Sequence, residues 1–98
     1  MTKLVTRKAV SLALRTHRVL NELTQEELCK RIESMSQSRL SRIEKEESDI
    51  RLVDLEALAL AFEVDIQELL EDILRLGRRQ NLAANQKAQD DATRDRAP

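Results

Sequence analysis

Residues 24–44 read TQEELCKRIESMSQSRLSRIE, and this stretch decides the fold. Thr24 is followed three residues later by Glu27, the spacing of a capping box, in which each side chain satisfies a free backbone N–H of the other's turn. Leu23 and Leu28 flank the start as a hydrophobic staple. This spacing predicts a helix from about Thr24 to Glu33 that turns Leu28 and Ile32 inward. Glu33-Ser34-Met35 then reads as a turn. Ser36 reads as the next N-cap, with Met35 and Leu40 as its staple. The helix that follows, to Glu44, carries Leu40 and Ile43 on one face and Gln37, Ser38, Ser41 and Arg42 on the other.

The same signals recur on both sides. Upstream, Thr6 caps a first helix with Val5 and Val10 as staple, and that helix runs to about Val19, burying Val10 and Leu14. Downstream, Lys45 to Asp49 is a polar loop. A fourth helix is expected from about Ile50 to Phe62, burying Leu52, Leu55, Leu58, Ala59 and Phe62. Asp65 opens a fifth, with Glu68 three residues on and a Val64–Leu69 staple. Ile66, Leu69, Leu70, Ile73 and Leu74 then repeat at helical spacing. From about Arg75 the apolar signal thins, and Ala83 to Pro98 carries no core-forming pattern. The expected organisation is one folded domain over 1–76, followed over 77–98 by a fraying helix end and a flexible tail.

Composition supports an all-α chain. It has one glycine, Gly77, and one proline, Pro98, too few turn residues for a β-rich fold. Phe62 is the only aromatic, so the core must be aliphatic. One cysteine, Cys29, excludes an internal disulfide, and with His17 as the only histidine no zinc pattern exists. No cofactor is implied. There is no apolar run of transmembrane length and no signal-peptide core after the basic N-terminus, which fits a cytoplasmic protein without membrane contact.

The net charge of −1 conceals a strong asymmetry. Residues 1–45 hold ten Lys and Arg against five Asp and Glu, residues 46–74 hold one against ten, and residues 75–98 hold six against three. The basic first part suits an anionic partner, and the acidic middle suits a face turned away from it. Uneven charge of this kind also occurs on ordinary solvated helices.

Five short helices, the second and third joined by a tight turn, resemble the phage-repressor (Xre/Cro-like) helix-turn-helix family. The resemblance rests on Leu14-Arg15-Thr16-His17-Arg18, Leu23-Thr24-Gln25-Glu26-Glu27-Leu28 and Ser36-Gln37-Ser38-Arg39-Leu40-Ser41-Arg42-Ile43-Glu44. It continues through Leu52-Val53-Asp54-Leu55, Leu58-Ala59 and Val64-Asp65-Ile66-Gln67-Glu68-Leu69. It implies a compact five-helix domain with the helix-turn-helix at helices two and three, whose partner is double-stranded DNA. The major groove admits one helix, and its base edges offer distinct donor and acceptor patterns. The resemblance makes Gln37, Ser38 and Arg42 base readers, with Ser41 facing the same way, Ser36 at the helix start, and Arg39 on a phosphate or a base. Gln suits adenine and Arg suits guanine. Gln25 would bond a phosphate and brace Gln37, and Arg18 and Glu44 would form a structural pair between the first and third helices. Lys3, Arg7, Lys8, Lys45 and Arg51 are further candidates for phosphate contacts.

Two departures from the family pattern stand out. The turn Glu33-Ser34-Met35 lacks the usual glycine and reads one residue longer. The loop Lys45-Glu46-Glu47-Ser48-Asp49 is acidic where a basic loop is common, and acids near a phosphate backbone repel it.

Blander readings apply residue by residue. Arg42 could simply pair with Glu46, four residues on. Cys29 reads as a small core filler, His17 as exposed and without a role, and Met35 as a plug for the turn. Ile66, Leu69, Leu70, Ile73, Leu74 and Leu76 are first of all core, but the strip continues past the usual end of the domain and suggests a homodimer seam between fifth helices. The leading function is a homodimeric transcriptional repressor. An antitoxin whose C-terminal region binds a toxin, and a helical interaction module that does not touch DNA, are the alternatives. No paired carboxylate, His-centred dyad or phosphate loop points to an enzyme.

Overall fold

The helices follow one another as α1 (Arg7–Leu20), α2 (Gln25–Arg31), α3 (Gln37–Glu44), α4 (Leu52–Ala61) and α5 (Ile66–Asp95). The computed structural model describes residues 3–95, with side chains through Ala83. The sequence-coded caps are in place. Thr6 Oγ1 accepts from the Ala9 N–H at 3.1 Å, and Ser36 Oγ from the Arg39 N–H at 3.2 Å. Thr24 and Glu27 close a complete capping box, with 3.1 Å and 3.0 Å bonds. Asp65 Oδ1 accepts from the Gln67 N–H at 2.9 Å and starts α5. Each such cap contributes about 1 kcal/mol.

α1 packs on both α5 and α3, α4 packs on α5, and α2 packs on α3. One aliphatic core joins them, with Leu14, Leu28, Leu40, Ile43, Leu58, Leu69 and Ile73 fully withdrawn from solvent. Burying each such side chain is worth roughly 1.5–3 kcal/mol.

Several expectations need correction. α2 ends at Arg31 and not at Glu33. Ile32 turns extended (φ −123°, ψ 105°), which drives its side chain into the core, and Met35 packs in beside it as expected. Among the described residues, those with positive φ are Glu22, Glu46 and Glu63, none of them in this turn. The helix-turn-helix therefore needs no glycine here, because it uses a longer, extended path. Leu52, expected in the core, is 74% exposed. α4 begins at that residue, and the inward position is taken by Asp54. His17 is half-buried, with Nε2 2.7 Å from Asp72 Oδ2 and its ring stacked on Phe62. It joins α1 to α5, a contact 55 residues apart in the chain that no local pattern reveals. The backbone of the expected tail is helical as far as Asp95, consistent with its Ala-, Arg- and Gln-rich composition. Residues 96–98 and the side chains of 84–98 lie outside the described residues.

The three left-handed glutamates share one motif. Each follows a helix C-cap, and the next N–H reaches back five residues: Leu23 to Arg18, Glu47 to Arg42 and Val64 to Ala59, at 3.0, 2.8 and 3.0 Å. This is the Schellman ending, where glycine is normally favoured because a Cβ is strained at positive φ. Glu46 (φ 64°) is exposed and lies outside the buried core. Relief of roughly 1–2 kcal/mol of left-handed strain outweighs the roughly 0.5–1 kcal/mol entropic cost of a glycine, so Glu46→Gly is expected to raise stability by up to about 1 kcal/mol, read as a higher urea midpoint with unchanged slope.

Gly77 has the opposite logic. Its buried Cα face receives the Leu4 backbone, and a Cβ there would overlap the Leu4 carbonyl. Around it, Asn81 Nδ2 donates to the Lys3 carbonyl at 3.1 Å and Thr6 Oγ1 to Gln80 Oε1 at 3.2 Å. The segment before α1 is thus strapped across α5. Gly77→Ala gains helix propensity worth about 1 kcal/mol but forces the strap away. Faster amide exchange at Ala9 and Val10, where the Thr6 cap holds α1, is the expected result.

Candidate nucleic-acid interface

α3 is amphipathic in the sense the site requires. Leu40 and Ile43 are buried at 0% and 1% exposure, while Gln37, Ser38 and Arg42 are exposed and Ser41 is half-buried on the opposite side. Ser36 is spent on the cap and is itself exposed. Arg42 makes no ion pair among the described residues, so the alternative pairing with Glu46 is not formed. It is exposed, four residues and so about one helical turn after Ser38.

Two carboxylates hold this helix. At its C-terminal end Glu44, 3% exposed in its side chain, accepts from Arg18 Nε at 3.0 Å and Nη2 at 2.9 Å. Arg18 Nη1 also donates to the Leu23 carbonyl at 3.0 Å, tying the end of α1 to the segment that enters α2. Ser11 Oγ donates to the Glu44 carbonyl at 2.5 Å. The fork-to-fork geometry of Arg18 and Glu44 is the strong form of such a pair. At the N-terminal turn, Arg39 Nη2 donates to Asp54 Oδ2 at 2.6 Å. Asp54 is 1% exposed, and the Arg39 guanidinium, with help from Arg51, holds its carboxyl well below the usual carboxylate range.

Arg39 is therefore placed differently from the expectation. Its side chain is turned against α4 and occupied by Asp54, because a buried carboxylate requires a charged partner. The brace expected between Gln25 and Gln37 is also not formed: no hydrogen bond joins them among the described residues, and Gln25 is half-buried at the start of α2. Lys3, Arg7, Lys8, Lys45 and Arg51 are all exposed. Arg7 is committed to Asp49 at 2.7 Å, which cancels one charge of the acidic loop. Cys29 packs partly against the core, and burial, with Glu44 nearby, pushes its thiol up, away from a reactive thiolate.

The fifth-helix strip divides. Leu69 and Ile73 lie in the domain's own core and cannot form a surface seam, whereas Ile66, Leu70, Leu74 and Leu76 remain partly accessible. Sequence reasoning missed Asp54. The available signal was an acid at a position shared with Leu55, Leu58 and Ala61 on the inward face of α4.

A short helix joined by a tight connection to a second helix, clamped from behind and polar in front, defines a helix-turn-helix DNA-binding domain. The chain matches the helix-turn-helix family HTH_3 over residues 14–69 and belongs to this Xre/Cro-like family. No curated protein matches the chain. Among solved structures it is similar to the clp gene regulator ClgR from Corynebacterium glutamicum, at 25% identity and a TM-score of 0.64, over 90% of this chain and 86% of that one. The protein is a DNA-binding transcription regulator. No described helix is long and apolar enough to cross a membrane.

Proposed function

We propose that the protein is a homodimeric repressor that reads an imperfect palindrome with α3 of each protomer in successive major grooves. The observation that carries this reading is the unpaired outward face of α3, with Gln37, Ser38 and Arg42 exposed on a helix fixed at both ends by Asp54 and Glu44. Gln37 stands first in the helix, where a side chain enters the groove most deeply, and Arg42 follows one turn after Ser38. Gln25, Lys3 ahead of α1 and Lys8 in its first turn supply phosphate contacts. Pairing of protomers is supported by the length of α5, 30 residues, and by its partly accessible Ile66, Leu70, Leu74 and Leu76.

Selection of bound duplexes from a random pool tests the reading. The expected product is two related half-sites centred roughly 10–10.5 base pairs apart, or a multiple of that. The affinity should fall steeply with salt. Recovery of one asymmetric site bound by a single chain overturns the dimer, and recovery of no preferred sequence overturns the whole reading. A reporter driven by a promoter carrying the recovered site should fall in expression when the protein is present; a rise overturns repression.

A further inference from the structure

Asp54 binds two arginines at once. Besides Arg39, it accepts from the Arg51 backbone N–H at 3.0 Å and from Arg51 Nε at 3.2 Å, all on Oδ2, with Arg51 Nη2 at 3.4 Å from Oδ1. The two guanidinium groups are therefore neighbours. They differ in access: the Arg39 side chain is 20% exposed, while that of Arg51 is 65% exposed. Arg39 belongs to the first turn of α3, the turn that begins with Gln37 and Ser38. One carboxylate for two cations leaves the cluster with a surplus positive charge. Arg39 Nη1 is buried without a hydrogen-bond partner, so Arg39 is held by Asp54 alone and has no second anchor.

We propose that Asp54 is a positioning residue for DNA recognition: through Arg39 it fixes the rotation of α3, and it holds Arg51 beside the first turn of that helix as a phosphate anchor. This rests on the DNA-binding reading above. The rotation matters because Arg39 lies between the base-facing Ser38 and Ser41. A side chain locked to α4 at that point decides how far Gln37 and Arg42 face the groove. The glutamate clamp at the other end of α3 fixes its tail but not this turn. Arg51 needs the same carboxylate for a different reason. A free arginine on the surface samples many rotamers, and each must be frozen when a phosphate is bound. Held through Nε, its guanidinium is already oriented while most of its surface remains open to an anion.

The test uses the full chain, with fluorescence anisotropy at several salt concentrations. The probes are a duplex recovered by selection and an unrelated mixed-sequence duplex of equal length. Arg51→Ala should weaken both duplexes by the same factor and lower the slope of log affinity against log salt by about one for each protomer bound. Its melting temperature should stay near that of the unaltered chain. Arg39→Met should narrow the ratio between the two duplexes by roughly tenfold, the loss of about one aligned base contact, with little change in slope. Arg39→Lys, which keeps a charge for Asp54, should recover much of that ratio. Asp54→Asn should show both defects together.

An unchanged salt slope for Arg51→Ala overturns the anchor. Equal weakening of both duplexes by Arg39→Met, in proportion to its lost folded fraction, overturns the positioning role. If Asp54→Asn does not fold, the two arginine variants still decide the matter. If the unaltered chain shows no preference between the duplexes, the DNA reading fails instead, and that outcome is visible before any variant is made.

Discussion

Changing Gln37 and Arg42 together to Ala should abolish sequence-selective DNA binding while leaving the fold intact. Each side chain is exposed, and neither is part of the core or of an ion pair among the described residues. The folded state therefore loses almost nothing, and surface changes of this kind stay within about 0.5 kcal/mol. On the proposed reading, the bound state loses two base contacts. A good bidentate contact to a base edge discriminates by about 1–3 kcal/mol, so the pair should cost at least about 30-fold in affinity for the selected duplex in each half-site. Non-selective binding should fall much less, since phosphate contacts elsewhere persist; Arg42 takes only its own charge away. The checks are titration of both duplexes and a thermal melt. Retained selectivity with both residues absent would remove α3 as the reading element, and a helical module that does not use DNA would become the better account.

The backbone plan was legible in sequence because its signals are local. Caps at Thr6, Thr24 and Ser36 act over three residues, and the staples act over five, so the chain states where each helix begins. The apolar backs of α3 and α5 follow from helical periodicity alone. What escaped depends on partners far apart in the chain. His17 reads locally as a spare surface residue, yet Asp72 and Phe62 lie beside it. Arg39 looked like a DNA ligand because its type and place fit, and only its 2.6 Å contact with Asp54 shows that it is occupied. The glycine-free turn was visible as a departure, but its solution was not. An extended Ile32 lengthens the connection and removes the need for a positive φ. Periodicity alone overreaches at a helix boundary. Leu52 matched the apolar stripe, yet it stands at the first position of α4 and remains in solvent.

Glu44→Ala should be among the most destabilising single changes in the chain. Its carboxylate is almost fully buried, and it receives two of the three hydrogen bonds that hold Arg18. Removing one member of a buried pair strands the other, which costs about 3–5 kcal/mol. A domain of this size has only about 5–15 kcal/mol in total, so a large part of its stability would be lost. The Ser11 bond to the Glu44 carbonyl survives the change, because its acceptor is backbone. Replacing both partners with apolar residues, Arg18→Met with Glu44→Leu, should recover most of the loss, since neither charge is then left buried. The recovery separates two roles. If the pair serves mainly to fix α3, the double variant should fold nearly as well as the original and still discriminate less sharply between the selected and unrelated duplexes. Urea denaturation of both single variants and the double variant gives the coupling energy directly. A double variant as unstable as Glu44→Ala would show that packing around Arg18, not the charge pair, secures the end of the recognition helix.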